Sequence, residues 1–176
     1  GKDTDAGSGS PSDFADAVDR LRGKVRIIIQ RGRLAKMRRT PRIAAVLDQF
    51  VREVDFDEAI HSWHPKAALV RTRDAGGSVG WRLWIGSRNL TENINRDIGL
   101  LLLSAEKGGA FIPGVENLAR ALAERAGFQG VRPASLGAAV AKLGWRAPAG
   151  VRVERLHWSD GTGNMAVPVP TAGTDE

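Results

Sequence analysis

His61, His64 and His157 are the only imidazoles in the chain, and it contains no cysteine. Any acid, base or nucleophile that titrates near neutral pH is therefore one of these three histidines. His64 has the most informative neighbours. It stands in His64-Pro65-Lys66-Ala67-Ala68-Leu69-Val70, and after a turn come Trp81-Arg82-Leu83-Trp84-Ile85 and Gly86-Ser87-Arg88-Asn89-Leu90-Thr91. Side chains on a strand repeat every second residue, so His64 and Lys66 are expected to project from one face. An imidazole beside an ammonium suits a phosphate: one attacks phosphorus while the other neutralises the oxygens. A hairpin between the two segments would bring Gly86-Ser87-Arg88-Asn89 to the same place. There glycine lets backbone approach a ligand, and the Ser87 hydroxyl and Asn89 amide can donate to phosphate oxygens. Arg88 either adds a bidentate phosphate contact or is simply solvated.

The remaining chemistry-bearing residues read more plainly. His61 precedes His64 by three, which puts the two on opposite faces of a strand, and no metal site is expected. His157 reads as a surface histidine. Trp63, Trp81 and Trp84 flank the motif and are read as core or rim packing in preference to base-stacking platforms. Thr91 and Asn95 serve the turn after Asn89. Asp97 can cap a strand or pair with Arg96. No cofactor is expected.

The ordered set His64-x-Lys66, Gly86-Ser87-x-Asn89-Leu90-Thr91 and an acid, Asp97, opening an apolar strand resembles the HKD half-site of the phospholipase D superfamily. The resemblance covers roughly residues 54–104. It implies a metal-independent phosphodiesterase in which one histidine attacks phosphorus to give a phosphohistidine. A second histidine, from a matching half-site, protonates the leaving oxygen, and water then releases the product. His64, Lys66, Asn89 and Asp97 would form the catalytic group, Asp97 holding the imidazole by its far nitrogen. Lys66, Ser87, Asn89 and Arg88 would hold the phosphate. The family's usual Asp beyond the Lys is missing, since position 71 is Arg71 and the nearest acid is Asp74. That departure moves the resemblance toward the tyrosyl-DNA phosphodiesterase and nuclease-like branches. Only one His-x-Lys is present, so a complete site implies a homodimer or a second half-site in a parent chain.

Several elements must position these residues. Ser12 followed by Phe14, Ala15, Val18 and Leu21 predicts a helix with Gly23 at its C-terminal end. A strand is predicted at 24–30, then a helix opened by Thr40-Pro41 with Ile43, Val46, Leu47, Phe50 and Val51 on one side. Strands follow at 54–60, 64–73 and 79–85, the last two joined through Gly76-Gly77-Ser78. The apolar run 97–104 (DIGLLLLS) predicts a central strand covered on both faces. Helices at 115–125 and 135–143 and a strand at 151–156 complete the reading. The fold class is α/β, a mixed β-sheet flanked by helices on both faces, which the resemblance makes a phospholipase D-like half-domain. Residues 1–11 read as a linker of a longer protein, 12–130 as the domain, 131–158 as a helix and strand extension, and 159–176 as a disordered tail or linker.

Composition narrows the partners. The 176 residues carry a formal charge of +6, and no apolar run approaches the length of a membrane span. Absence of cysteine is compatible with a reducing, cytoplasmic compartment. Residues 24–42 hold eight cations and no acid, among them Arg31, Arg33, Lys36, Arg38 and Arg39. Such a block is either a solvated face or a polyanion-binding patch. Neutralising backbone phosphates is the main source of nucleic-acid affinity, so a nucleic-acid phosphodiesterase is the leading expectation, with DNA favoured over RNA. The alternatives are a phospholipid phosphodiesterase and a non-catalytic DNA-binding module of a larger protein.

Overall fold

A computed structural model of the chain describes residues 10–33, 42–56, 65–87 and 98–157. The chain is mixed α/β and divides into two units, one of residues 1–56 with 125–130, the other of residues 57–124 with 131–176.

In the first unit, helix α1 (Pro11–Leu21) starts one residue before Ser12. Ser10 is the N-cap. Its Oγ accepts from the Asp13 N–H at 3.2 Å, and its own N–H donates to Asp13 Oδ2 at 2.8 Å. This reciprocal pair satisfies two amides that a helix start leaves open. Two bonds from Ser10 to Asp13 Oδ2, the backbone N–H first and the hydroxyl, at 2.8 Å, second, hold the Asp13 carboxyl below its ordinary pKa. A carboxyl lowered in the folded state stabilises the cap above its unfolded pKa, and that contribution disappears as pH falls through the folded value. Ser10→Ala removes only the hydroxyl bond, so it is expected to raise the Asp13 titration, followed by NMR, part of the way toward the ordinary carboxylate range while the residue-10 N–H keeps it below. Gly23 has φ +73° where the chain leaves the helix, as its position implies.

Strand β1 (Ile27–Gln30) is shorter than expected and pairs in parallel with β2 (Val51–Val54), in the register Ile27 to Val51 and Gln30 to Val54. Parallel neighbours need a crossover, and α2 (Arg42–Asp48) lies within it. Here the expectation was wrong by one element: Phe50 and Val51 are not on the helix. Phe50 is buried and its carbonyl accepts from the Ile27 N–H at 2.8 Å, while Val51 opens β2. The expected continuation of a strand over 57–60 and the Thr40-Pro41 cap lie outside the described residues. Arg52 Nη1 donates to the Ala126 carbonyl at 3.3 Å, and the Arg26 guanidinium sits 5.3 Å from the Phe128 ring centre, tying residues 126–128 to this unit.

The second unit holds a four-stranded antiparallel sheet in the order β3 (Ala67–Arg73), β4 (Val79–Gly86), β5 (Gly99–Ala105) and β6 (Gly144–Arg146). Among the described residues, then, the expected single mixed sheet is a parallel pair and a separate antiparallel sheet. The β3–β4 hairpin turns where the glycines predict. Gly77 has φ +87°, and Asp74 Oδ1 accepts from the Ser78 N–H at 2.9 Å. Strand β6 was not anticipated, whereas the strand expected at 151–156 has no ladder partner among the described residues. Helix α3 (Val115–Ala126) falls close to expectation, and α4 (Pro133–Val140) ends three residues early, freeing Gly144 and Trp145 to pair with β5.

Leu83, Leu102, Ile112, Val115, Leu118, Ala119, Val140 and Trp145 form the core, with Ala67, Leu69, Trp81, Ile85 and Leu100 packed against it. Strand alternation explains the membership: the core takes every second residue of β3, β4 and β5. Helices α3 and α4 and the arm at 147–157 close this face. The other face carries Val70 and Leu101, both nearly half exposed. Strand β5 is therefore interior to the sheet but not covered on both faces as expected. Its four leucines divide, Leu100 and Leu102 inward, Leu101 and Leu103 outward.

The arm is seated by one hydrogen bond, Leu156 N–H to the Pro113 carbonyl at 2.8 Å, with Val153 and Leu156 against the core. Gly114 has φ +96°, and a Cβ there would run into the Leu156 carbonyl. Gly114→Ala thus combines backbone strain with a clash and is expected to cost about 2 kcal/mol, read as a lowered denaturant midpoint with protease cleavage appearing near 150.

Candidate functional site

Three strand ends meet where the phosphate-binding residues were expected. Ala67 at the start of β3 pairs with Ile85 near the end of β4, and Gly86 pairs with Gly99 at the start of β5. The Gly86 N–H donates to the Lys66 carbonyl at 2.8 Å, and the Ser87 N–H to the Ile98 carbonyl at 2.9 Å. The Ser87 hydroxyl accepts in turn from the Ile98 N–H at 3.3 Å. Lys66 and Ser87, expected to share a site, are thus brought to one end of one sheet by backbone bonds across three strands. Lys66 is half-buried and Ser87 exposed.

His64, Arg88, Asn89 and Asp97 lie outside the described residues. The chain enters the cluster through Pro65, one residue after His64, and leaves it at Ser87, two before Asn89. It returns at Ile98, one after Asp97. His61 and Trp63, and Lys36, Arg38 and Arg39 of the basic block, are likewise outside the described residues. Of that block, Arg31 is exposed and its Nε is 2.7 Å from Asp55 Oδ1, so its charge is matched by a carboxylate; Arg33 is exposed. A pair this exposed contributes little to stability and is screened by salt.

His157 is exposed, as expected, and lines a shallow cleft with Glu116, Asn117 and Arg155. Asp74, the acid closest to the missing family position, is occupied in the hairpin turn through the Gly77 and Ser78 amides. Trp81 faces the core, as read, with the Arg71 guanidinium 5.9 Å from its ring centre. Trp84 does not. It lies on the opposite face, and its indole occupies the space that side chains at Gly86 and Gly99 would take. Positions 81 and 84 differ in parity, so a strand reading could have separated the two tryptophans.

Among the described residues, no helix is long and apolar enough to cross a membrane. Comparison of the chain with protein families, with curated proteins and with solved structures finds no match in any of the three.

Proposed function

We propose that the chain is a metal-independent phosphodiesterase of phospholipase D-like type, acting on nucleic acid. The observation that carries this reading is the joining of the three strand ends, which sets Lys66 and Ser87 at one end of the sheet beside the chain positions that lead to His64, Asn89 and Asp97.

The residues assign the steps. His64 attacks phosphorus through its unprotonated nitrogen, a P–N bond forms, and the bond from phosphorus to the leaving oxygen breaks. That oxygen takes a proton from a second histidine, supplied by a partner copy or by another half-site. The second histidine, now neutral, removes a proton from water as the water attacks phosphorus. The P–N bond then breaks and free His64 returns. Lys66 supplies fixed positive charge where negative charge gathers on the phosphoryl oxygens. Ser87, oriented by the Ile98 amide, and Asn89 donate to the same oxygens, while Asp97 sets the imidazole tautomer.

Excess positive charge favours nucleic acid over lipid as the substrate. The test is cleavage of a labelled oligonucleotide in EDTA alongside phosphatidylcholine vesicles. Oligonucleotide cleavage that persists in chelator, and weakens as salt rises, is expected. Hydrolysis of vesicles alone would transfer the chemistry to phospholipid. The single His-x-Lys favours one other reading, a non-catalytic half-site that binds DNA. A chain that is monomeric in sedimentation and binds DNA without hydrolysis would establish it.

A further inference from the structure

We infer that the open face of the antiparallel sheet is a binding surface for single-stranded nucleic acid, with the Trp84 indole as a platform for a base and Arg82 and Arg146 as phosphate contacts. The inference rests on the proposed phosphodiesterase site for the place of the scissile phosphate, at the Lys66 and Ser87 end of the same sheet.

Cross-strand pairing defines the face. One row is Val70, Arg82, Leu103 and Arg146; the next is Ala68, Trp84 and Leu101; the last is the Gly86–Gly99 pair. None of these residues belongs to the core. Leu101 is 44% exposed and Val70 47%, while Arg82 and Arg146 are both exposed. An apolar strip this open on a sheet calls for an occupant.

Trp84 gives the strip its chemistry. The Cζ2 and Cη2 edge of its ring would collide with a Cβ at Gly86, and Nε1 stands 2.9 Å from where a Cβ at Gly99 would lie. Two glycines facing each other in adjacent strands weaken a sheet, and here both are needed for the ring to lie low along it. The indole is half-buried, its Cζ2–Cη2 edge against Gly86 and its Nε1 against Gly99. Such a ring, held by backbone and flanked by Leu101, matches the aromatic platforms on which unpaired bases stack.

Charge selects the occupant. The described strand residues of this face include no carboxylate, and neither Arg82 nor Arg146 carries an ion pair among the described residues; Arg82 Nη1 donates to the Thr72 hydroxyl at 3.0 Å. Arg82 lies two residues along β4 from Trp84, about 7 Å, and Arg146 about 10 Å from Arg82 across the sheet. Two copies of this face would oppose like charges, whereas a polyanion with exposed bases complements both the cations and the ring. Duplexes hide their base faces, so the strand must be single.

Fluorescence anisotropy of the full chain with a labelled oligothymidylate, an abasic strand of equal length and a duplex reads the inference directly. The oligothymidylate is expected to bind about tenfold or more tightly than the abasic strand. Trp84→Leu should erase that difference and Trp84→Phe should keep most of it, with thermal melts to compare the variants. Equal affinity for thymidylate and abasic strands in the unmodified chain would overturn the inference whatever the variants do. So would Trp84→Leu retaining the full difference, or self-association through this face without oligonucleotide binding. Hydrolysis of bis(p-nitrophenyl) phosphate, which has no base, is measured in parallel. Base-dependent binding without that hydrolysis removes the phosphodiesterase reading and leaves the surface, and the reverse outcome removes the surface alone.

Discussion

His64→Asn is expected to lower phosphodiester hydrolysis in EDTA by about a thousandfold or more, with the fold unchanged by circular dichroism. Asparagine keeps a polar group of similar reach but has no nitrogen able to form and release a P–N bond. The size of the loss distinguishes a nucleophile, or its acid and base counterpart, from a binding residue. Lys66→Met should cost less, about a hundredfold, because it removes charge stabilisation while leaving the covalent step intact. A drop in affinity for the ester with an unchanged turnover rate in the His64 variant would mean that the imidazole only binds.

Leu83→Ala is expected to have the largest effect on stability, about 3 kcal/mol, measured as a shift in denaturant midpoint at constant slope. Leu83 is fully buried, paired between Leu69 and Leu102 in the middle of the sheet, and faces the helices. Truncation leaves a cavity that the sheet cannot close, because both neighbouring strands are held in register by their own ladders. Leu101→Ala, one residue from Leu102 but on the open face, should change stability far less. The contrast between Leu83 and Leu101 measures how one-sided the core is. A comparable cost for Leu101 would mean that its face is covered.

Much of this was legible in the sequence where local chemistry acts. The Gly76-Gly77-Ser78 turn fixed the hairpin, since glycine supplies the positive φ and Asp74 ties the amides. Helix α3, predicted at 115–125, falls at Val115–Ala126. The meeting of Lys66 with Ser87 followed from the hairpin, whose turn sets the register in which Leu83 and Leu69 face the core.

What escaped has physical reasons too. Strand β6 is three residues, Gly144-Trp145-Arg146, with no alternation to detect; it exists because Trp145 is buried and its N–H and carbonyl bond to Ala110. Val151 and Val153 imitate a strand, but the arm is held by side-chain burial and a single bond to Pro113. The DIGLLLLS run conceals its period because every residue from Leu100 to Leu103 is apolar, so a one-sided strand reads as two-sided. Parity separates Trp84 from Trp81, but of the two glycines its ring packs on, Gly99 is brought there only by β5.

The measurement that bears most directly on the proposed chemistry is a search for the covalent intermediate. The full chain is mixed with a phosphodiester whose leaving group departs quickly, so that the P–N bond forms faster than water breaks it, and the reaction is quenched in alkali and digested. A phosphoryl adduct on the peptide containing His64, stable to alkali and lost in acid, is the predicted result. Hydrolysis that proceeds with no adduct on His64 and stops in EDTA would contradict it.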